Sequence, residues 1–118
     1  MSEDSTLPIF AGLICKTPVY AHNEENHPLV VIRSRDSGCH VGYLKSRKGS
    51  EVELTEARRL WYWSGAATLS QLAVQGVKNA GECKFTIPIS ITVLDVCEII
   101  PTTEKAKNSI DEVPEWVA

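Results

Sequence analysis

Residues 39–55, CHVGYLKSRKGSEVELT, decide the fold. Cys39 to Ser46 reads as one strand, Arg47-Lys48-Gly49-Ser50 as a reversal, and Glu51 to Thr55 as the returning strand. In the second arm polar and apolar residues alternate, so Val52 and Leu54 share a face. Gly49 supplies the positive φ that the reversal needs. After Glu56 the alternation slips. Arg58 and Leu60 fall on one phase and Arg59, Trp61 and Trp63 on the other, which predicts a bulge near Ala57.

Upstream of the hairpin, residues 29–35 (LVVIRSR) are rich in branched side chains and read as a strand closed by Asp36-Ser37-Gly38. Ala21 to Pro28 reads as a polar loop, and Leu7 to Cys15 as a strand or an irregular arm. Downstream, Thr68 with Gln71 forms a capping box that opens a short helix ended by Gly76. Leu69, Leu72 and Ala73 share its apolar face. Phe85, Ile87, Ile89, Ile91 and Val93 alternate with polar residues, and Pro88 places that strand at an edge or a bulge. The phase changes at Val93-Leu94, which predicts a kinked strand or two successive strands. Pro101 stops the run, and Thr102 or Thr103 caps a second short helix through Ile110. The acidic tail from Asp111 carries one large anchor, Trp116.

These elements predict a mainly β chain with two short helices, arranged as a small antiparallel sandwich or open barrel of α+β type. Residues 29–118 read as a single globular domain. A disordered N-terminus (residues 1–6) and an arm with the polar loop (residues 7–28) precede it.

With 118 residues, 43% of them hydrophobic, the chain can bury a core without metals or staples. No apolar run approaches the roughly 20 residues of a membrane helix. The start, Met1-Ser2-Glu3-Asp4, lacks the basic opening of a secretion signal, so the expected location is the compartment of synthesis. The four cysteines (Cys15, Cys39, Cys83, Cys97) form no C-x-x-C pair and read as reduced thiols, mostly buried. Net charge is −3, which disfavours nucleic acid as a partner. Charge is unevenly spread, however. Residues 33–63 carry seven basic side chains against four acidic ones, and the flanking segments are acidic. An anion is drawn to that middle third alone.

No catalytic or cofactor motif is present, which argues against an enzyme. Cys39 and His40 are neighbours on a strand, so their side chains point to opposite faces and cannot act as nucleophile and base. His22, Glu24, Glu25 and His27 sit in a loop without the scaffold of a metal site. The segment that stands out, residues 57–63 (ARRLWYW), sets two arginines beside three aromatics. Guanidinium groups fork onto phosphate or carboxylate, and indole rings stack on a planar ligand. Candidate ligand-binding residues are therefore Arg58 and Arg59 as charge clamps and Trp61 and Trp63 as stacking platforms. Arg33 and Arg35 follow as second-choice clamps. The following helix N-terminus, residues 64–68, offers an anion seat. The same residues also fit an interface or core, with arginine stacked on tryptophan or paired with Glu51 and Glu53 across the hairpin.

Residues 57–78 (ARRLWYWSGAATLSQLAVQGVK), 83–85 (CKF) and 98–116 (EIIPTTEKAKNSIDEVPEW) resemble a family of short tailed-bacteriophage proteins, over a span from about Val31 to Trp116. That resemblance implies a non-enzymatic viral accessory protein in the host bacterial cytoplasm, with no cofactor and no catalytic residue carried over. The function expected is a ligand-binding module for a small anionic molecule, with a cyclic-nucleotide immune signal as one candidate. The alternative is a structural or protein-interaction module, either a minor virion component or an inhibitor of a host protein. A homo-oligomer is expected under both, because an edge strand and three tryptophans invite a partner.

Overall fold

The computed structural model describes residues 19–118. The disordered start expected at residues 1–6 and the arm expected at Leu7–Cys15 lie outside the described residues. Six strands and two helices follow in the order β1 (Leu29–Ser34), β2 (Gly38–Lys48), β3 (Glu51–Tyr62), α1 (Leu69–Gln75), β4 (Lys84–Phe85), β5 (Ile89–Val93), β6 (Val96–Pro101) and α2 (Glu104–Asp111). A short 3₁₀ turn at Ala80–Glu82 precedes β4. The strands form one antiparallel sheet ordered β4-β3-β2-β1-β6, with β5 beside the first half of β3. This is the mainly β, two-helix fold read from the sequence.

The sheet has to roll. β5 pairs with β3, and β6 pairs with β1 on the far side of β2, yet only Leu94 and Asp95 separate them. In a flat sheet four inter-strand steps would put β5 and β6 about 19 Å apart, whereas three Cα steps reach at most about 11 Å. The stagger is also large. Val93 sits opposite Val52, which faces Arg47, while Val96 sits opposite Ser34, which faces Gly38. Residues only three positions apart thus meet opposite ends of β2, as in a strongly sheared, incompletely closed barrel. The link is fixed from both sides. Val96 N donates to Ser50 O (2.9 Å), Arg35 N to Asp95 O (3.1 Å) and Ser34 Oγ to Leu94 O (2.9 Å).

Two bulges supply the curvature. Glu56 has φ +51°, and the register with β2 shifts there, opposite Gly42. A second shift lies around Lys45 on β2. Gly42 is required because a Cβ there would lie 2.9 Å from Ala57 Cα. Bulged strands bend and twist more strongly, which a rolled sheet needs.

Rolling gives the sheet an inner and an outer core. The inner core holds Val30, Ile32, Val52, Leu54, Ala57 and Val93. On the outer face, Val31, Val41, Leu60 and Phe85 pack against Leu72 and Ala73 of α1 and Ala106 and Ile110 of α2. Both helices start as read: Thr68 Oγ1 accepts from Gln71 N (3.0 Å), and Thr103 Oγ1 from Ala106 N (3.1 Å). Gly76 ends α1 with φ +78°. Pro88 falls in the break between β4 and β5, so the predicted single alternating strand is two. The loop at residues 21–28 is tied by Asn23, whose Oδ1 accepts from Glu25 N and His27 N. Cys39, Cys83 and Cys97 are free. Among the described cysteines Cys97 is exposed and Cys39 half-buried, contrary to the expectation of mostly buried thiols, because Cys97 lies on the last strand β6 and Cys39 at the start of β2, both beside Arg33.

Arg58 joins the outer layer together. It is only 8% exposed. Nε donates to Thr86 O (2.8 Å), Nη1 to Ile110 O (3.1 Å), and Nη2 to the carbonyls of Phe85 (3.3 Å), Val113 (2.9 Å) and Pro114 (3.2 Å). Its guanidinium lies 5.5 Å from the Phe85 ring centre. Burial pushes its pKa down, and Glu115 and Asp111 act against that shift. One side chain thereby holds β4, the end of α2 and the tail. We predict that Arg58→Met lowers unfolding free energy by at least about 3 kcal/mol in urea denaturation. Arg58→Lys should rescue little, because a point charge cannot reach carbonyls from three segments. A variant within about 0.5 kcal/mol of wild type would contradict this role.

Candidate functional site

Along β3 the bulge at Glu56 resets the alternation, so Ala57, Arg59 and Trp61 take the inner phase while Arg58 and Leu60 take the outer one. β5 accompanies β3 only as far as the Ala57–Ile89 pair. Beyond it β4 takes over that edge of β3, at Leu60–Phe85 and Tyr62–Lys84, and the inner face there borders a groove of about 500 Å³ at the barrel's open end. Its lining is His40 from β2, Ala57, Arg59 and Trp61 from β3, Thr86 and Ile87 from the linker, and Ile89 and Ile91 from β5. Cavities of this size at barrel mouths are common ligand sites, mostly apolar with a few fixed polar groups.

Arg59 is held by its backbone. Its N–H donates to Thr86 Oγ1 (2.8 Å) and its carbonyl accepts from Thr86 N (3.1 Å). Its guanidinium has no ion-pair partner among the described residues. Trp61 is 61% exposed and stacks on Trp116, with ring centres 5.7 Å apart and planes 22° from parallel. Trp116 reaches this position because its N–H donates to Phe85 O (2.9 Å). Lys84 lies 5.5 Å from the Trp116 ring centre on β4. The result is an exposed indole pair with a free guanidinium and an ammonium nearby, bordering an apolar groove. It can hold a flat ring by stacking and an anion by charge.

His40 is the buried polar side chain of the groove lining. It is 2% exposed, lies opposite Ile32 on β1 and Arg59 on β3, and neither ring nitrogen has a hydrogen-bond partner among the described residues. Burial first, and the Arg59 charge second, push its pKa down to about 4. At neutral pH it is therefore an uncharged imidazole with one donor and one acceptor, both unused.

The structure separates the residues singled out in the sequence. Arg59 and Trp61 share the groove. Arg58 faces away and spends its donors on five carbonyls, so it is not available as a charge clamp. Trp63 lies past the strand end and packs half-buried on the outer core. Arg33 pairs with Glu98 (3.1 Å) on the outer face, and Arg35 lies past the end of β1, tied through its backbone to Asp95. Neither lines the groove. The anion seat expected at residues 64–68 is taken up by the helix's own caps, since Gln71 Oε1 accepts from Ala67 N (2.9 Å). Glu53 pairs with Lys45 (3.8 Å) rather than with an arginine. Among the described residues no group of three His, Cys, Asp or Glu side chains is placed to hold a metal, and no helix is long and apolar enough to cross a membrane. Sequence reasoning passed over His40 as a binding group, considering it only beside Cys39. The signal was its phase: on β2 it alternates in step with Leu44, an inner-core residue.

The His40 environment sets a pH dependence of stability. An unfolded chain binds this proton near pH 6.5, the folded chain near pH 4. Between those values the unfolded state holds more protons, so stability falls as pH falls. Acidification from pH 7 to 4 should remove about 3 kcal/mol through His40. His40→Leu should flatten that part of the curve in denaturant titrations run across the range. Parallel curves for the two proteins would contradict the burial of a neutral imidazole.

No curated protein and no solved structure matches the chain. One family model does match, over residues 27–110, which takes in every strand and most of α2. The chain therefore belongs to the family described as domain of unknown function DUF6948.

Proposed function

We propose that this chain is a non-enzymatic bacteriophage accessory protein that binds a small, planar, anionic molecule in the groove of its rolled sheet. The observation that carries the reading is Arg59 and Trp61, two residues apart on one strand, facing a single apolar groove. Arg59 supplies the charge and Trp61, backed by Trp116, supplies the stacking face. Binding rather than turnover is favoured because Cys39, the sequence neighbour of His40, packs against the outer core on the opposite side of the sheet. A phosphate-bearing nucleotide, including a cyclic-nucleotide signal, has the required shape and charge.

A second reading rests on a separate observation. Among the described residues β5 pairs only with β3, which leaves its outer edge without a partner strand there, and Ile87, Ile89, Trp61 and Trp116 beside it are exposed. An open edge next to apolar side chains favours a protein contact, either a second copy of this chain or a host protein.

Calorimetry against nucleoside monophosphates and cyclic nucleotides tests the first reading. Arg59→Ala is expected to weaken binding by about 10- to 100-fold. Trp61→Ala should cost about 1–3 kcal/mol. A panel in which no anionic ring compound binds, or an Arg59→Ala variant that binds like wild type, would overturn it. Saturation of the edge by a partner, with the groove empty of any ligand, is the outcome that selects the second reading.

A further inference from the structure

We propose that His40 is the specificity-determining group of this groove, selecting a heteroaromatic ring with a hydrogen-bonding edge over a plain hydrocarbon ring of the same shape and charge. The inference rests on the groove being a ligand site and goes on to name what its ligand must carry. Two features lead to it. First, His40 is buried yet lines the groove, and neither of its nitrogens has a partner among the described residues. A buried polar group without a partner destabilises a fold, and nearly all such groups in native proteins are satisfied. Second, its surroundings offer no answer. Across the strands stand Ile32 and Arg59, and the groove is otherwise lined by Ile87, Ile89, Ile91 and Thr86, whose hydroxyl accepts from Arg59 N. Arg59 is the only charged side chain of the groove lining and has donors alone, so it cannot satisfy an imidazole N–H.

The neutral imidazole offers one N–H and one lone pair. In the bound state proposed here, a ring seated beside Trp61 takes the imidazole as the partner of its polar edge, while its anionic substituent meets Arg59. The chemistry that fits all three contacts is a flat heterocycle bearing ring nitrogen or carbonyl groups, joined to a phosphate or carboxylate. A hydrocarbon ring would stack and pair equally well but leave the imidazole unsatisfied. Sites built around a buried polar group discriminate strongly against analogues that lack its partner.

The test compares purine nucleoside 5′-monophosphates with naphthyl phosphate on the full chain by calorimetry. Wild type is expected to prefer the best nucleotide over naphthyl phosphate by about tenfold or more. In His40→Leu the ratio of the two affinities should fall toward one. Imidazole ¹⁵N shifts of His40 in the wild-type protein give an independent readout and should move on nucleotide binding but not with naphthyl phosphate. Equal affinity of wild type for both probes, or His40 resonances that ignore the nucleotide, would overturn this proposal and leave the groove as a site for any flat anion. Binding of neither probe removes the groove reading itself, and the role of His40 with it.

Discussion

The fold is governed by a short connection. Leu94 and Asp95 carry the chain from one edge of the sheet to the other, and no flat sheet permits that. Closure brings a conformational strain, visible in the positive φ of Asp95 and Glu56. It is offset by a second hydrophobic core inside the roll, which a single-layer sheet with helices on one face would not have. The groove is a by-product of incomplete closure. Past the Ala57–Ile89 pair the inner face of β3 emerges into solvent at Arg59 and Trp61.

Because the strand is two-faced, the neighbours Arg58 and Arg59 have opposite uses. Arg58 enters the outer layer, where a permanently charged group is tolerated because carbonyl dipoles from three segments surround it. Arg59, on the inner side, has no ion-pair partner among the described residues. The two are nevertheless coupled. Arg58 fixes the carbonyls of Val113 and Pro114, and the tail that follows presents Trp116 to Trp61. The structural arginine thus positions half of the stacking platform without touching the groove.

Much of this was legible in the sequence. The alternation of Val52 and Leu54, Gly49 at the reversal, the slip near Ala57 and the two threonine caps are local signals, and local signals fix local geometry. The same slip already put Arg58 and Arg59 on different phases. What the sequence did not show was which phase faced solvent, because β1 is apolar on both faces and each phase of β3 past the bulge carries one arginine beside apolar residues. The pairing of β6 with β1 is non-local and leaves no periodic trace. His40 was illegible for a related reason: a lone histidine on a strand gains meaning only when its partners across β1 and β3 are known. Trp116 read as a generic anchor until the Phe85 carbonyl gave its position.

The claim beneath all of this is that residues 94–96 bridge both edges of the sheet. Amide hydrogen exchange measured by NMR tests it directly. The Val96 and Arg35 amides, which donate to Ser50 O and Asp95 O, should be protected nearly as strongly as those of the β2–β3 pairing. Exchange of both at rates typical of an exposed loop would mean that the sheet is open, and that its inner face forms no groove.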